Sequence, residues 1–292
     1  MALAFDLSLD APYGEMVRLS PRVSRLLAPN PGLFTFKGTG VYLVGTDPVA
    51  VIDPGPDMAE HRAALERALE GRRVSHILVT HTHKDHSPAA RWLKALSGAP
   101  IYGFGPHPVA SGETEEGGDR DFIPDRFVRD GEAIAGKGFR FTALHTPGHI
   151  SNHLCFALEE EAALFCGDTV MGWSTSVIAP PDGDMADYMA SLERLLARDD
   201  RVLYPTHGSP IPAPKAFIAE YLAHRRVREA QVIACVADGL GTVDAMVGHI
   251  YAGLDPKLHP AAAQSLTAHL IKLEQQGRVA RGDGRYRLTA ST

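Results

Sequence analysis

Four side chains able to bind a metal ion fall within six residues: His81, His83, Asp85 and His86, in Thr80-His81-Thr82-His83-Lys84-Asp85-His86. They follow the apolar, β-branched run 74–79, which predicts a strand buried on at least one face. In an extended segment His81 and His83, two residues apart, point to the same side. Asp85 and His86 come where Ser87-Pro88 predicts the turn into a helix, with serine as N-cap and proline as the first helical residue. Four donors delivered from one strand end can serve two ions rather than one. Imidazole and carboxylate without thiolate suit zinc, iron or manganese better than a structural cysteine site.

Further donors arrive one strand at a time. Residues 139–144 alternate as a strand and lead into His145-Thr146-Pro147-Gly148-His149. Residues 163–166 lead into Gly167-Asp168-Thr169, and 201–204 into Pro205-Thr206-His207-Gly208. Each is followed by a loop of glycine or small residues, where backbone can approach a ligand closely. Carboxyl ends of sheet strands are the usual place for ligands in α/β architectures.

Other elements must position these donors. Residues 23–27, 33–36, 41–45 and 49–52 read as strands, with Pro29-Asn30-Pro31-Gly32 turning the chain before 33–36. Residues 57–70 read as an amphipathic helix closed by Gly71. Asp53, in Asp53-Pro54-Gly55, either starts a turn or orients a metal-bound histidine with its carboxylate. The stretch 106–130, acidic and glycine-rich over 112–119, reads as a long solvated loop with little to bury, in a place to cover the site.

The 292-residue chain is long enough for one large domain or two. Its net charge of −6 argues against a chain-wide nucleic-acid-binding surface. Three widely spaced cysteines, Cys155, Cys166 and Cys235, fit free thiols in a reducing compartment. The first residues lack a basic and apolar signal, and no apolar run approaches the ~20 residues that span a bilayer. The expectation is a cytoplasmic protein without membrane contact.

HTHKDH, HTPGH, GDT and PTHG, in this order, resemble the metallo-β-lactamase superfamily over roughly residues 20–222. The resemblance implies an α/β fold, a four-layer αββα sandwich with two metal ions at one edge of its sheets. It implies that His81, His83 and His149 hold the first ion, that Asp85, His86 and His207 hold the second, and that Asp168 bridges them. Two Zn2+ per chain are expected, with Fe or Mn as alternatives. A hydroxide shared by the ions is then the nucleophile, since bound water is acidified towards pKa ~7. Asp85 would orient it, and His153 would contact the substrate or protonate the leaving group. His145 would be a hydrogen-bonded structural residue beside the ligands. Cys155 and Cys166 are expected to be small buried residues.

Residues 228–237, 242–251 and 260–276 read as three helices, and 278–280 with 285–288 as a hairpin around Asp283-Gly284. This is a winged-helix pattern, and the expected division is a catalytic domain over 1–222 and a winged helix over 223–292. Together with the junction Tyr221-Leu222-Ala223-His224-Arg225-Arg226-Val227-Arg228-Glu229, the arrangement resembles the beta-lactamase-like protein 2 family. Gly40 departs from it, standing where related sequences tend to carry Asn. The resemblance favours cleavage of single-stranded RNA. Its rivals are a glyoxalase II-like thioester hydrolase, a β-lactamase or lactonase, and a non-enzymatic DNA-binding regulator. From residue 222 on, nine bases face six acids, a mild excess compatible with phosphate contact. The third helix is thin in polar groups for reading a DNA sequence, so the tail is expected to serve packing, a homodimer contact or RNA holding. The substrate is expected to be a small molecule or single-stranded RNA.

Overall fold

A computed structural model describes residues 3–108 and 117–289. In chain order the elements are Met16–Arg18 (β1), Val23–Leu27 (β2), Gly40–Gly45 (β3), Val49–Ile52 (β4), Ala59–Leu69 (α1), Val74–Leu78 (β5), Ala89–Ser97 (α2), Ile101–Gly103 (β6) and Arg126–Phe127 (β7). Then come Ala133–Gly136 (β8), Phe139–His145 (β9), Leu154–Leu158 (β10), Ala163–Gly167 (β11), Met185–Leu196 (α3), Val202–Pro205 (β12) and Pro214–Ala237 (α4). Val243–Ile250 (α5), His259–Gln275 (α6), Val279–Gly282 (β13) and Arg285–Leu288 (β14) complete the chain.

The first sheet runs β1-β2-β3-β4-β5-β6-β7, antiparallel up to β4 and parallel beyond it. The second runs β12-β11-β10-β9-β8, parallel only between β11 and β12. The inner strands of both sheets are buried on both faces, so each sends alternate residues into two different cores. In β3, Tyr42 and Val44 meet Phe141, Phe156 and Phe165 of the other sheet, while Val41 and Leu43 face Leu65 of α1 and Leu93 of α2. In β11, Ala163 and Phe165 point between the sheets; Leu164 and Cys166 pack against Tyr188 and Leu192 of α3 and Tyr221 of α4. Helix, sheet, sheet and helix therefore stack as four layers, as expected.

Several local expectations are corrected. Residues 33–36 form turns rather than a strand: Thr35 Oγ1 donates to the Asn30 carbonyl (2.6 Å), and Gly38 N–H to that of Thr35 (2.8 Å). The compact loop turns Phe36 onto the Trp173 ring, stacked at 4.9 Å. Ser87 does not cap α2, because Pro88 holds the cap position and Ser87 Oγ donates to Asp119 (2.8 Å) instead. That bond also corrects the picture of 106–130 as solvated loop. Asp119 is ion-paired with Arg91 (2.9 Å), and Phe122 is buried against the first sheet. The acidic stretch lies outside the described residues over 112–116.

The C-terminal part has its own core of Val232, Met246, Leu266, Leu270, Leu273 and Tyr286, the winged helix expected from the sequence. Its hairpin turns through Asp283 and Gly284, both at positive φ (51° and 74°), as a two-residue β-turn requires. The position 222/223, expected as a domain boundary, falls inside α4, and Ala268 of α6 packs into the same core as α3. No helix among the described residues is long and apolar enough to cross a membrane.

Candidate metal centre

Four strand ends converge at one edge of the sandwich. After β5 the chain turns tightly, and the His83 carbonyl accepts from the N–H groups of His86 (3.1 Å) and Ser87 (3.3 Å). This turn folds Asp85 and His86 back beside His81. The loops after β9, β11 and β12 add His149, Asp168 and His207. Among the described residues, donor atoms of His81, His83 and His149 lie within 4.8 Å of one another. So do those of His81, His86 and Asp168, and those of Asp85, His86 and His207. All seven residues named from the sequence are thus brought together.

The donor atoms fit a cation better than one another. His81 Nε2 and His149 Nε2 lie 2.9 and 3.1 Å from His83 Nδ1. Ligand atoms of a tetrahedral ion at 2.0–2.1 Å are about 3.3 Å apart, close to this spacing. Asp168 Oδ2 lies 3.5 Å from both His86 Nε2 and His207 Nε2, and 4.0 Å from His149 Nε2, between the two groups. Asp168 Oδ1 and His86 Nε2 are buried with no hydrogen-bond partner among the described residues. Such atoms are costly unless an ion takes them up.

Outer partners set which nitrogen of each ring is bare. Carbonyl oxygens can only accept, so His149 Nδ1 donates to Val177 (2.7 Å) and His207 Nδ1 to Gly38 (3.1 Å). His86 Nδ1 donates to Asp53 Oδ2 (3.0 Å). In all three rings Nε2 is therefore the nitrogen that faces the cluster. Asp53 also accepts from Thr80 N–H (2.7 Å), Thr80 Oγ1 (2.7 Å) and Thr206 Oγ1 (3.3 Å). Of the two readings of Asp53, the structure supports the orienting carboxylate. Gly148 lies at φ 132°, where a Cβ would overlap the Tyr188 backbone, so glycine alone lets the loop carrying His149 pack on α3.

Charge balance points the same way. Burial and neighbouring imidazoles hold His81 and His83 well below the ordinary histidine pKa, so both are neutral donors. Burial also pushes His86 and His207 down, but the Asp85 and Asp168 carboxylates outweigh it. They hold His86 well above its usual value and His207 at about 10. Those imidazoles in turn keep both carboxyls below their usual range against the opposing effect of burial. The two carboxylates therefore favour positive charge at the His86 and His207 rings, and an ion bound there would take the place of the proton.

His153, expected to contact the substrate or protonate a leaving group, lies behind the donors. It is fully buried, stacks on His81 at 5.0 Å, and its Nε2 accepts the Asp168 backbone N–H (3.2 Å). Its Nδ1 must then carry the proton, shared with Thr146 (2.9 Å) and Thr169 (3.2 Å). It has no exposed surface, and its contacts are with the Asp168 backbone and two threonine hydroxyls. His145 bonds the Ser151 carbonyl (2.9 Å) and stacks on Phe104, as a structural residue does. Burial pushes the Cys155 thiol up to about 11 and Cys166 well above its ordinary value, which leaves neither as a nucleophile at neutral pH.

Sequence reasoning missed Thr80, Thr206 and Asn152. The first two precede His81 and His207 directly and bond Asp53, so the repeated Thr-His pair was the available signal. Asn152 Nδ2 donates to Thr82 Oγ1 (2.8 Å), itself bonded to His107 Nδ1 (2.8 Å). A Cβ at Gly40 would meet the Thr206 carbonyl oxygen at 3.0 Å and the Arg25 side chain at 3.1 Å, and Arg25 Nη1 donates to the Gly208 carbonyl (3.0 Å).

Comparison with known proteins agrees with this geometry. Residues 35–207 match the family model of the metallo-beta-lactamase superfamily, and 242–287 that of the beta-lactamase associated winged helix domain. The lactamase-like protein vrtG of Penicillium aethiopicum is 37% identical over 76% of this chain and 68% of its own. An atrochrysone carboxyl ACP thioesterase of Claviceps purpurea is 36% identical over 75% of this chain; the chain covers 66% of that protein's length. A metallo-beta-lactamase family protein of Thermus thermophilus superposes with a TM-score of 0.76 at 26% identity, over 93% of this chain and all of that one. The chain therefore belongs to the metallo-beta-lactamase superfamily, as a metal-dependent hydrolase with a C-terminal winged helix.

Proposed function

We propose that this protein hydrolyses a thioester at a two-metal centre. The observation that carries the reading is the complete set of seven converging donors in a chain whose relatives include proteins named ACP thioesterases. His81, His83 and His149 would hold one ion and Asp85, His86 and His207 the other, with Asp168 able to serve both. Divalent ions there supply Lewis acidity and lower the pKa of water towards ~7. Zinc is the metal we expect, with iron and manganese as alternatives that the same donors accept.

The protein's own groups do the rest. Asp85 is the most exposed of the seven donors, with 14% of its side chain open, and it stands where it can orient an entering water. Asp53, Gly38 and Val177 hold three imidazoles in the bare-Nε2 form. His153 fixes the loop of Asp168. A thiolate leaves without needing a proton, so a thioester suits a site whose spare histidine is buried. The three free, buried cysteines support a reducing, cytoplasmic setting.

The test is release of thiol from acyl-pantetheine thioesters by metal-loaded protein, with Asp168→Ala as control and end-labelled single-stranded RNA run alongside. Metal-dependent thiol release that is lost in the variant supports the reading. RNA cutting without thiol release would replace it with the ribonuclease expected from the sequence, and release surviving in the variant would remove the metal site from the reaction.

A further inference from the structure

The loop 28–40, between β2 and β3, supplies no donor itself but reaches two donors of one ion. The Gly38 carbonyl accepts from His207 Nδ1 (3.1 Å), and Thr39 Oγ1 lies 3.3 Å from Asp85 Oδ2. That carboxylate oxygen stands 3.2 Å from His86 Nε2 and 3.0 Å from His207 Nε2. His81 and His149, of the other group, bond Thr80 and Val177, which lie on other segments.

Atom types fix the direction of each hydrogen bond in the loop. The Thr39 N–H can only donate, so the Asn30 atom that faces it (2.9 Å) is the amide oxygen. The Asn30 N–H2 then faces Thr39 Oγ1 (2.9 Å) and donates to it. An amide nitrogen does not accept, so the one hydroxyl hydrogen of Thr39 is left for Asp85 Oδ2. Thr39 is fully buried, which shuts this hydroxyl off from bulk water.

The loop is braced along its length. The Thr39 carbonyl accepts the Ala28 N–H (2.9 Å), and the Gly40 N–H donates to the Thr206 carbonyl (2.8 Å). Phe36 takes φ 56°, costly for a bulky residue, and is held there by two hydrogen bonds exchanged with Gly32 and by its stack on Trp173. Gly38 lies at φ 131°, where a Cβ would come within 2.1 Å of the Ala28 carbonyl oxygen, so only glycine presents this carbonyl to His207.

We propose that Asn30 and Thr39 are positioning residues for the ion held by Asp85, His86 and His207. Asn30 directs the Thr39 hydroxyl, and the hydroxyl keeps Asp85 Oδ2 turned towards the two imidazoles. Without it the carboxylate is free to rotate about its Cβ–Cγ bond and to carry that oxygen away from them. The assignment rests on the two-metal part of the reading above and not on the thioester.

The experiment sets full-length, zinc-loaded protein against a graded chelator series and counts bound ions by mass spectrometry. Thr39→Val keeps the side-chain shape without the hydroxyl; it is expected to weaken one ion about tenfold and leave the other at parental affinity. Thr39→Ser returns the hydroxyl and is expected to restore both ions. Asn30→Ala leaves the hydroxyl undirected and is expected to weaken the same ion as Thr39→Val. Cadmium NMR identifies that ion, because His207→Ala marks its resonance; Thr39→Val should shift this resonance and leave the other in place. Two ions at parental affinity in folded Thr39→Val, or in Asn30→Ala where Thr39→Val does not fold, overturn the proposal. Equal weakening of both ions, or a Thr39→Ser protein as weak as Thr39→Val, overturns it too, since either reports packing and not the hydroxyl. A parent that binds fewer than two ions removes the two-metal reading and this proposal with it. Selective loss in Thr39→Val, in a protein whose parent releases no thiol, keeps the proposal and removes the thioesterase.

Discussion

Asp53→Asn is the sharpest probe of how the donors are held. Asp53 is 1% exposed and accepts four hydrogen bonds, from Thr80 N–H, Thr80 Oγ1, His86 Nδ1 and Thr206 Oγ1, at 2.7–3.3 Å. Its φ of 47° suits asparagine, so the backbone need not move. The amide replaces one acceptor oxygen with an N–H2 group that faces other donors. If the amide oxygen keeps Thr80 N–H, the new N–H2 meets His86 Nδ1. The ring must then move its proton to Nε2 and lose the lone pair aimed at the cluster. Partners of this kind are typically worth 10–100-fold in metal affinity, about 1.4–2.7 kcal/mol. The loss should fall mainly on the ion held by Asp85, His86 and His207. Competition against a graded chelator series, with bound metal counted by mass spectrometry, should show one ion released well before the other. Two ions retained at parental affinity by a folded Asp53→Asn protein would refute the reasoning.

Three further outcomes are expected. Gly148→Ala should lose at least ~2 kcal/mol in denaturant unfolding and bind metal more weakly, because positive φ and overlap with Tyr188 act together. Phe165→Ala should cost about 3–5 kcal/mol in the same assay, since the ring is buried between the sheets against Tyr42 and Tyr204. In the tail, His269 and Lys272 beside Glu229 hold its carboxyl at about 2, down from 4.5. Its contribution is fully present above pH 4.5 and disappears as pH falls through about 2. The difference in melting temperature between parent and Glu229→Gln should therefore shrink over that window; a difference independent of pH would count against the pairing.

Much of the layering was legible because burial on both faces makes strands read as apolar runs, and alternation in β3 and β11 divides two cores. The Asp283-Gly284 turn was equally plain, since φ > 0 at two adjacent positions leaves few residue choices. Residues 33–36 misled because Leu, Phe and Thr favour strands. Hydrogen bonds around Thr35 and the stack of Phe36 on Trp173 outweighed that preference. Ser87 misled for a related reason: its hydroxyl had a buried aspartate to bond, 32 residues away, in place of its own helix.

The sequence by itself determined the donor types and their order, because imidazoles and carboxylates at strand ends carry their chemistry wherever the chain goes. Only the tertiary structure decided which nitrogen of each ring is bare, since the acceptors that settle it come from afar. His86 answers to Asp53, 33 residues away, His149 to Val177, and His207 to Gly38, 169 residues away. Tertiary packing also buried His153 behind His81 and set the C-terminal helices against the loop 171–177, forming a cleft from segments that share no local pattern. A donor is a property of a residue, whereas its orientation and what it can reach are properties of the packing around it.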